Sequence, residues 1–85
     1  MFLHVDKATY LGGYRVRLEF NDGSRGEVDL SGELSRGVFR ALEDPTYFHS
    51  FTLSGHTLSW ANGADFAPEF LHRLMLSQRE AVGHL

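Results

Sequence analysis

YRVRLEFNDGSRGEVDL, residues 14–30, decides how this chain folds. Tyr14, Val16, Leu18 and Phe20 alternate with Arg15, Arg17 and Glu19, the period-two pattern of a strand with one buried and one wet face. Asn21-Asp22-Gly23 turns the chain, and residues 24–30 return. Directly opposed residues of an antiparallel pair share a face, so the loop length sets the register. A two-residue loop at Asp22-Gly23 sets Leu18 against Glu27 and mixes the faces. A three-residue loop, Asn21-Asp22-Gly23, restores them, with Gly23 in the left-handed position of a G1 bulge. Val16 then faces Val28, and Tyr14 faces Leu30. On the outer face Glu19 meets Arg25, Arg17 meets Glu27 and Arg15 meets Asp29, each a pair of opposite charges. Screened surface pairs contribute about 0.2–1 kcal/mol at most, so the coincidence supports the register more than the stability. It also gives Arg15 and Arg17 partners that neutralise the field a phosphate site needs.

Working outward, HVDKATYL (4–11) reads as a strand of imperfect alternation, closed by Gly12-Gly13. SGELSRGVFRALEDP (31–45) reads as a loop and a short helix, with Leu34, Val38, Phe39 and Leu42 at helical spacing. Ser31 or Ser35 would cap it, Gly37 keeps it short or irregular, and Asp44-Pro45 ends it. Tyr47 and Phe48 pack before the next strand. Residues 50–54 and 57–60 form a second hairpin about Gly55-His56, a type II′ turn with glycine first. Its register sets Leu53 against Leu58 and Phe51 against Trp60, with Thr52 and Ser59 on the other face. A last helix runs from Pro68 to about Arg79, with Phe70, Leu71, Leu74 and Met75 inward and His72, Arg73 and Gln78 outward. The expected fold is α+β: an antiparallel sheet of about five strands (two hairpins plus an N-terminal strand) with two short helices on one face. Residues 1–79 form the single domain, and 80–85 are a frayed tail.

Bulk properties bound the function. A chain of 85 residues, 42% hydrophobic and with seven Phe, holds one small core of marginal stability. The absence of cysteine excludes disulfides and thiolate metal sites and fits a reducing cytoplasm. No apolar run approaches the roughly 20 residues of a membrane span, and Met1-Phe2-Leu3-His4 is no signal peptide. The net charge of -3, from eight Lys/Arg against eleven Asp/Glu, disfavours nonspecific nucleic-acid binding.

The chemistry is sparse. There is no phosphate loop, dinucleotide fingerprint, nucleophile elbow or His-Glu-x-x-His pattern. His4-x-Asp6 is too short a pairing to specify a metal, and His49, His56, His72 and His84 have no ligand spacing. Asp29, Asp65 and Glu69 are the carboxylates that would converge if the sheet brings residue 29 beside the last helix. They support the alternative of a small hydrolase or ligand-binding domain, which also needs a pocket and a shifted pKa. A chain this small leaves little room for a pocket of several hundred cubic ångströms. No catalytic residue, metal or cofactor is assigned.

WANGADFAPEFL (60–71) is the most unusual stretch, and its residues have local tasks. Trp60 ends a strand on the core face, and Asn62-Gly63 suits a turn with positive φ. Asp65 would accept hydrogen bonds from the free N–H groups of the helix start. Pro68 fits the first helical position, and Glu69 favours the positive end of the dipole. The functional reading is that Trp60, Asn62, Gly63, Asp65 and Glu69 ring a groove that grips a partner.

Together Y-x-V-x-L-x-F-x-D-G (14–23), G-x-V-D-L (26–30), G-V-F-x-x-L-x-D-P (37–45) and W-x-N-G-A-D-x-A-P-E (60–69) resemble domain-of-unknown-function family 2442, small bacterial proteins. The resemblance covers about Val5 to Leu71, departs at Ala61 where the family often has Pro, and implies an α+β fold. Some relatives carry an appended helix-turn-helix domain; with one helix after the last block, DNA binding is not expected here. Family members are often encoded beside another small protein, which implies a toxin–antitoxin-like arrangement. The leading expectation is thus a cytoplasmic, non-enzymatic interaction module, the antitoxin-like or regulatory half of a two-gene system. Its partner would be another small protein encoded nearby, or a second copy joined through a sheet edge.

Overall fold

The computed structural model describes residues 2–83. Strands β1 (Val5–Gly12), β2 (Arg15–Phe20) and β3 (Arg25–Asp29) form an antiparallel sheet in the order β1-β2-β3. The β2–β3 register is the one that loop counting predicts: Val16 opposes Val28 and Arg17 opposes Glu27. The Leu30 N–H donates to the Tyr14 carbonyl at 2.9 Å, which sets that pair opposite as well. Val16, Leu18, Phe20, Val28 and Leu30 are buried on the inner face. On the outer face the directly opposed charges do not pair. Arg15 instead reaches diagonally to Glu27 at 2.9 Å, and the Asp29 carboxylate accepts from the Ser31 N–H at 2.9 Å. Strand twist brings diagonal neighbours within reach of long side chains, and solvent leaves the other charges little reason to order.

The five strands divide into two sheets. Strands β4 (Thr52–Ser54) and β5 (Thr57–Ser59) pair with each other in the expected register, Thr52 to Ser59 and Leu53 to Leu58. Among the described residues one backbone bond links them to the first sheet, from the Val5 N–H to the His56 carbonyl at 2.8 Å. Both turn residues have positive φ, Gly55 at 62° and His56 at 70°, so the turn is type I′ and not type II′. The strand twist that favours primed turns is met by either, and histidine tolerates the left-handed region better than most residues.

Residues 31–45 depart furthest from helical spacing. Ser31–Glu33 and Gly37–Glu43 are 3₁₀ segments, and neither Ser31 nor Ser35 caps them. At three residues per turn Val38 rotates outward and is 51% exposed, while Leu34 and Leu42 stay buried. Asp44-Pro45 starts a helix instead of ending one. Helix α1 (Pro45–His49) has Pro at its start, and the Asp44 carboxylate accepts from the Thr46 N–H at 3.0 Å. It buries Phe48.

Helix α2 (Pro68–Gly83) buries Leu71 and Met75, with Phe70 and Leu74 partly covered. It continues past Arg79, so residues assigned to the tail are helical as far as Gly83; 84–85 lie outside the described residues. Its approach to β3 depends on Gly26, where a Cβ would stand 3.1 Å from the Met75 side chain. The core thus joins the inner face of the first sheet, Leu34, Leu42, Phe48, Leu58, Trp60 and α2 in one cluster.

Candidate functional site

The corner at 60–64 is a tight hairpin in its own right. The Trp60 N–H donates to the Ala64 carbonyl at 2.9 Å, and the Gly63 N–H to the Trp60 carbonyl at 3.1 Å. Gly63 has φ 91°, and Ser59 bridges Asp65 across the arms. This is the three-residue loop with a G1 bulge that also closes the first hairpin. There the Phe20 N–H donates to the Ser24 carbonyl at 2.8 Å, the Gly23 N–H to the Phe20 carbonyl at 3.1 Å, and Gly23 has φ 89°. The second occurrence escapes a reading for strands because only 64–66 follow it, too short for a visible alternation. The shared aromatic-x-Asx-Gly spelling, Phe20-Asn21-Asp22-Gly23 and Trp60-Ala61-Asn62-Gly63, is the signal that identifies it.

The corner side chains are committed to structure. Trp60 is buried, and its indole N–H donates to the Phe48 carbonyl at 2.9 Å. Asn62 is used at three points. Its Oδ1 accepts from the Ala64 N–H at 3.0 Å, its Nδ2 donates to the Val38 carbonyl at 2.9 Å, and its backbone N–H donates to the Tyr47 hydroxyl at 2.9 Å. It therefore staples the 3₁₀ segment and α1 to the corner. Thr57, buried, donates its hydroxyl to the Phe66 carbonyl and fixes the arm that leads into α2.

Asp65 differs. It is exposed, and among the described residues its carboxylate accepts no hydrogen bond and pairs with no cation, so it does not cap α2. Its backbone is paired with Ser59 in the bridge. Glu69 is exposed in the first turn of α2, where the helix dipole favours its charge.

Asp65 stands at a groove of about 540 Å³ between the 3₁₀ segments and the start of α2, lined by Glu33, Arg36, Phe39, Asp65, Phe66 and Phe70 among others. The chain does have room for a cleft of ligand size. Its floor is a row of three rings. Phe39 and Phe66 stack at 4.7 Å and 22°, and Phe66 and Phe70 at 5.8 Å and 14°. Phe66 is held from behind by Trp60, edge-on at 5.8 Å. The rim carries Glu33, Arg36 and Asp65, whose side chains make no hydrogen bond or ion pair among the described residues. The Asn62 staple on Val38 holds the residue next to Phe39 of that floor.

The carboxylates Asp29, Asp65 and Glu69 do not converge. Asp29 lies beside Gln78, whose amide it engages at 2.8 and 2.9 Å. Glu69 is roughly 13 Å from that level along the helix axis, at 1.5 Å per residue. Asp65 meets Glu33 and Arg36 at the groove, and Glu69 does not line it. His4 and Asp6 do approach, at 3.4 Å. Among the described residues, no three His, Asp or Glu form a group able to hold a metal. Asp22 is held below its ordinary pKa, first by the Ser24 hydroxyl and backbone N–H, and then by His72 at 3.3 Å. No helix among the described residues is long and apolar enough to cross a membrane.

Comparison with known proteins finds one relationship. No curated protein and no solved structure matches the chain. The family model described as "Protein of unknown function (DUF2442)" matches residues 5–74, which include both glycine-bulge hairpins and the whole groove, and the chain belongs to that family.

Proposed function

We propose that this protein is a non-enzymatic interaction module that grips a partner protein in the groove between the 3₁₀ segments and the start of α2. The observation that carries this reading is the pairing of an aromatic floor with uncommitted charges at the rim. Phe39 and Phe70, half-buried on either side of the buried Phe66, offer apolar area, and Glu33, Arg36 and Asp65 have hydrogen-bonding capacity that the fold itself does not use. An apolar centre with a polar rim is the anatomy of a protein-binding patch. The corner 60–64 serves the groove by position and not by contact. The module is the antitoxin-like or regulatory half of a two-protein system in the bacterial cytoplasm, and its partner is the small protein encoded beside it.

The test is affinity purification of the tagged chain from its native host, with Asp65→Lys and Arg36→Glu alongside. Both positions are exposed, so both variants keep the wild-type melting temperature. A stoichiometric partner retained by the wild type and released by the reversals is expected. No stoichiometric partner across several growth conditions, or equal retention by all three, overturns the reading. A ligand-binding domain is the second reading, favoured by the volume of the groove, which falls in the range of small-molecule sites. It no longer has the Asp29, Asp65 and Glu69 cluster behind it. A metabolite screen that raises the melting temperature of the wild type but not of Asp65→Lys would select it.

A further inference from the structure

The free edge of β3 faces out of the first sheet. Phe20–Ser24 and Tyr14–Leu30 are hydrogen-bonded pairs, so antiparallel alternation turns the peptide groups of Arg25, Glu27 and Asp29 away from β2. Such an edge is a template for another strand. Two side chains of α2 occupy it. The Gln78 amide accepts from the Asp29 N–H at 2.8 Å and donates to the Asp29 carbonyl at 2.9 Å. One side-chain amide thereby takes the place of a peptide group in a neighbouring strand. The Arg79 guanidinium donates to the Arg25 carbonyl. Between them the Glu27 N–H and carbonyl take no partner among the described residues, and a second groove of about 430 Å³ opens there, lined by Arg15, Arg17, Glu27, Gln78 and Arg79 among others.

We infer that the β3 edge is a strand-pairing surface for a second copy of this chain, held shut by Gln78 and Arg79. The charges on β3 fit a copy of itself. In an antiparallel pair centred on Glu27, Arg25 of each copy opposes Asp29 of the other, giving two attractive pairs. The two Glu27 carboxylates meet at the axis, each already held by its own Arg15 at 2.9 Å. Glycine at 26 lets α2 lie close enough for Arg79 to reach the edge, since a Cβ there would stand 2.7 Å from its guanidinium. This face is separate from the groove assigned to the partner protein, and either assignment stands without the other.

Sedimentation velocity of the full chain over a range of concentrations tests it. The wild type is expected to be monomeric, and Gln78→Ala/Arg79→Ala to dimerise at least about tenfold more tightly. Glu27→Pro placed on that background removes an edge donor and no β2–β3 ladder bond, so it returns the monomer. Asp29→Lys does the same by setting like charges opposite Arg25. Gln78→Ala alone is the milder variant and gives a weaker dimer of the same kind. Hydrogen exchange at the Glu27 amide slows with concentration in the double variant, less so in Gln78→Ala, and not in the wild type. A folded double variant and Gln78→Ala that both stay monomeric overturn the inference. So does a dimer indifferent to Glu27→Pro and Asp29→Lys, and so does a wild type that already dimerises through this edge.

Discussion

Residues 20–24 and 60–64 are the same turn built twice and put to different uses. Backbone bonds agree within 0.1 Å, the glycine φ values are 89° and 91°, and each Asx side chain accepts from the N–H two residues on, at 2.9 and 3.0 Å. The difference lies in the second polar group of that Asx. Asn62 has an amide N–H₂ left over, and it binds the Val38 carbonyl across the chain. Asp22 has a second oxygen left over, and it faces His72 on α2. Identical backbone therefore yields a staple in one case and a carboxylate–imidazole contact in the other. The atom that follows from choosing amide or acid decides which segment is tied down.

The largest contrast is expected at the aromatic that opens each turn. Phe20 meets one ring, His72, whereas Trp60 meets Phe48, Phe51 and Phe66 and also donates a hydrogen bond. Large-to-small substitution of a buried aromatic costs about 3–5 kcal/mol. Trp60→Ala should sit at the top of that range and leave the protein largely unfolded, and Phe20→Ala should sit at the bottom. Urea denaturation followed by circular dichroism measures both. Equal costs would show that the ring cluster behind the groove adds nothing beyond burial.

Next come the glycines. Neither Gly23 nor Gly63 has any atom within 4 Å of an added Cβ, so alanine at either position meets only backbone strain. That strain is roughly 1–2 kcal/mol for a left-handed residue. The two variants should lose the same amount, and unequal losses would mean that the turns are not equivalent after all. Gly37 also has positive φ, at 54°, but starts a 3₁₀ segment and is no control for a hairpin.

How much of this was legible in sequence differs between the two turns for a physical reason. The first is flanked by strands long enough to alternate, so face matching alone selects the loop length. The second is followed by Ala64, Asp65 and Phe66 and then a helix, so there is nothing to match against. Local pattern therefore suggests a cap at Asp65, whereas its backbone is in a bridge and the residue lines the groove. The 3₁₀ segments at 31–33 and 37–43 are hidden because Leu34, Val38 and Leu42 also satisfy a period of 3.6. The groove needs those segments and α2 together, contacts far apart in sequence that no local pattern encodes.

Exchanging the leftover group separates the turns further. Asn62→Asp retains the bond from the Ala64 N–H but loses the donor to Val38 and sets an oxygen against a carbonyl. About 0.5–1.5 kcal/mol is the cost of one such hydrogen bond. The loss should be accompanied by faster hydrogen exchange over 37–43, because the staple holds that segment. If exchange there is unchanged, the segment is held by Phe39 and Leu42 packing alone. The proposed partner site would then not depend on the corner.

The smallest effect is one of pH, and it belongs to the first turn only. Asp22 has a folded-state pKa below its ordinary value, chiefly through Ser24 and to a lesser degree through His72. A depressed carboxyl pKa means that the unfolded chain binds the proton more readily. Its contribution is therefore present above the ordinary carboxylate value, near about pH 4, and is lost as pH falls through the folded value. Asp22→Asn keeps an acceptor for the Ser24 N–H but cannot titrate, so its stability should fall less steeply than the wild type's below that point. Above it, with the carboxylate ionised, the wild type should be the more stable of the two. Asn62 carries no proton to lose, and Asn62→Ala should leave the slope of the acid limb unaltered. A wild type and an Asp22→Asn variant with parallel acid limbs would mean that Ser24 and His72 hold the side chain in place without favouring its charge.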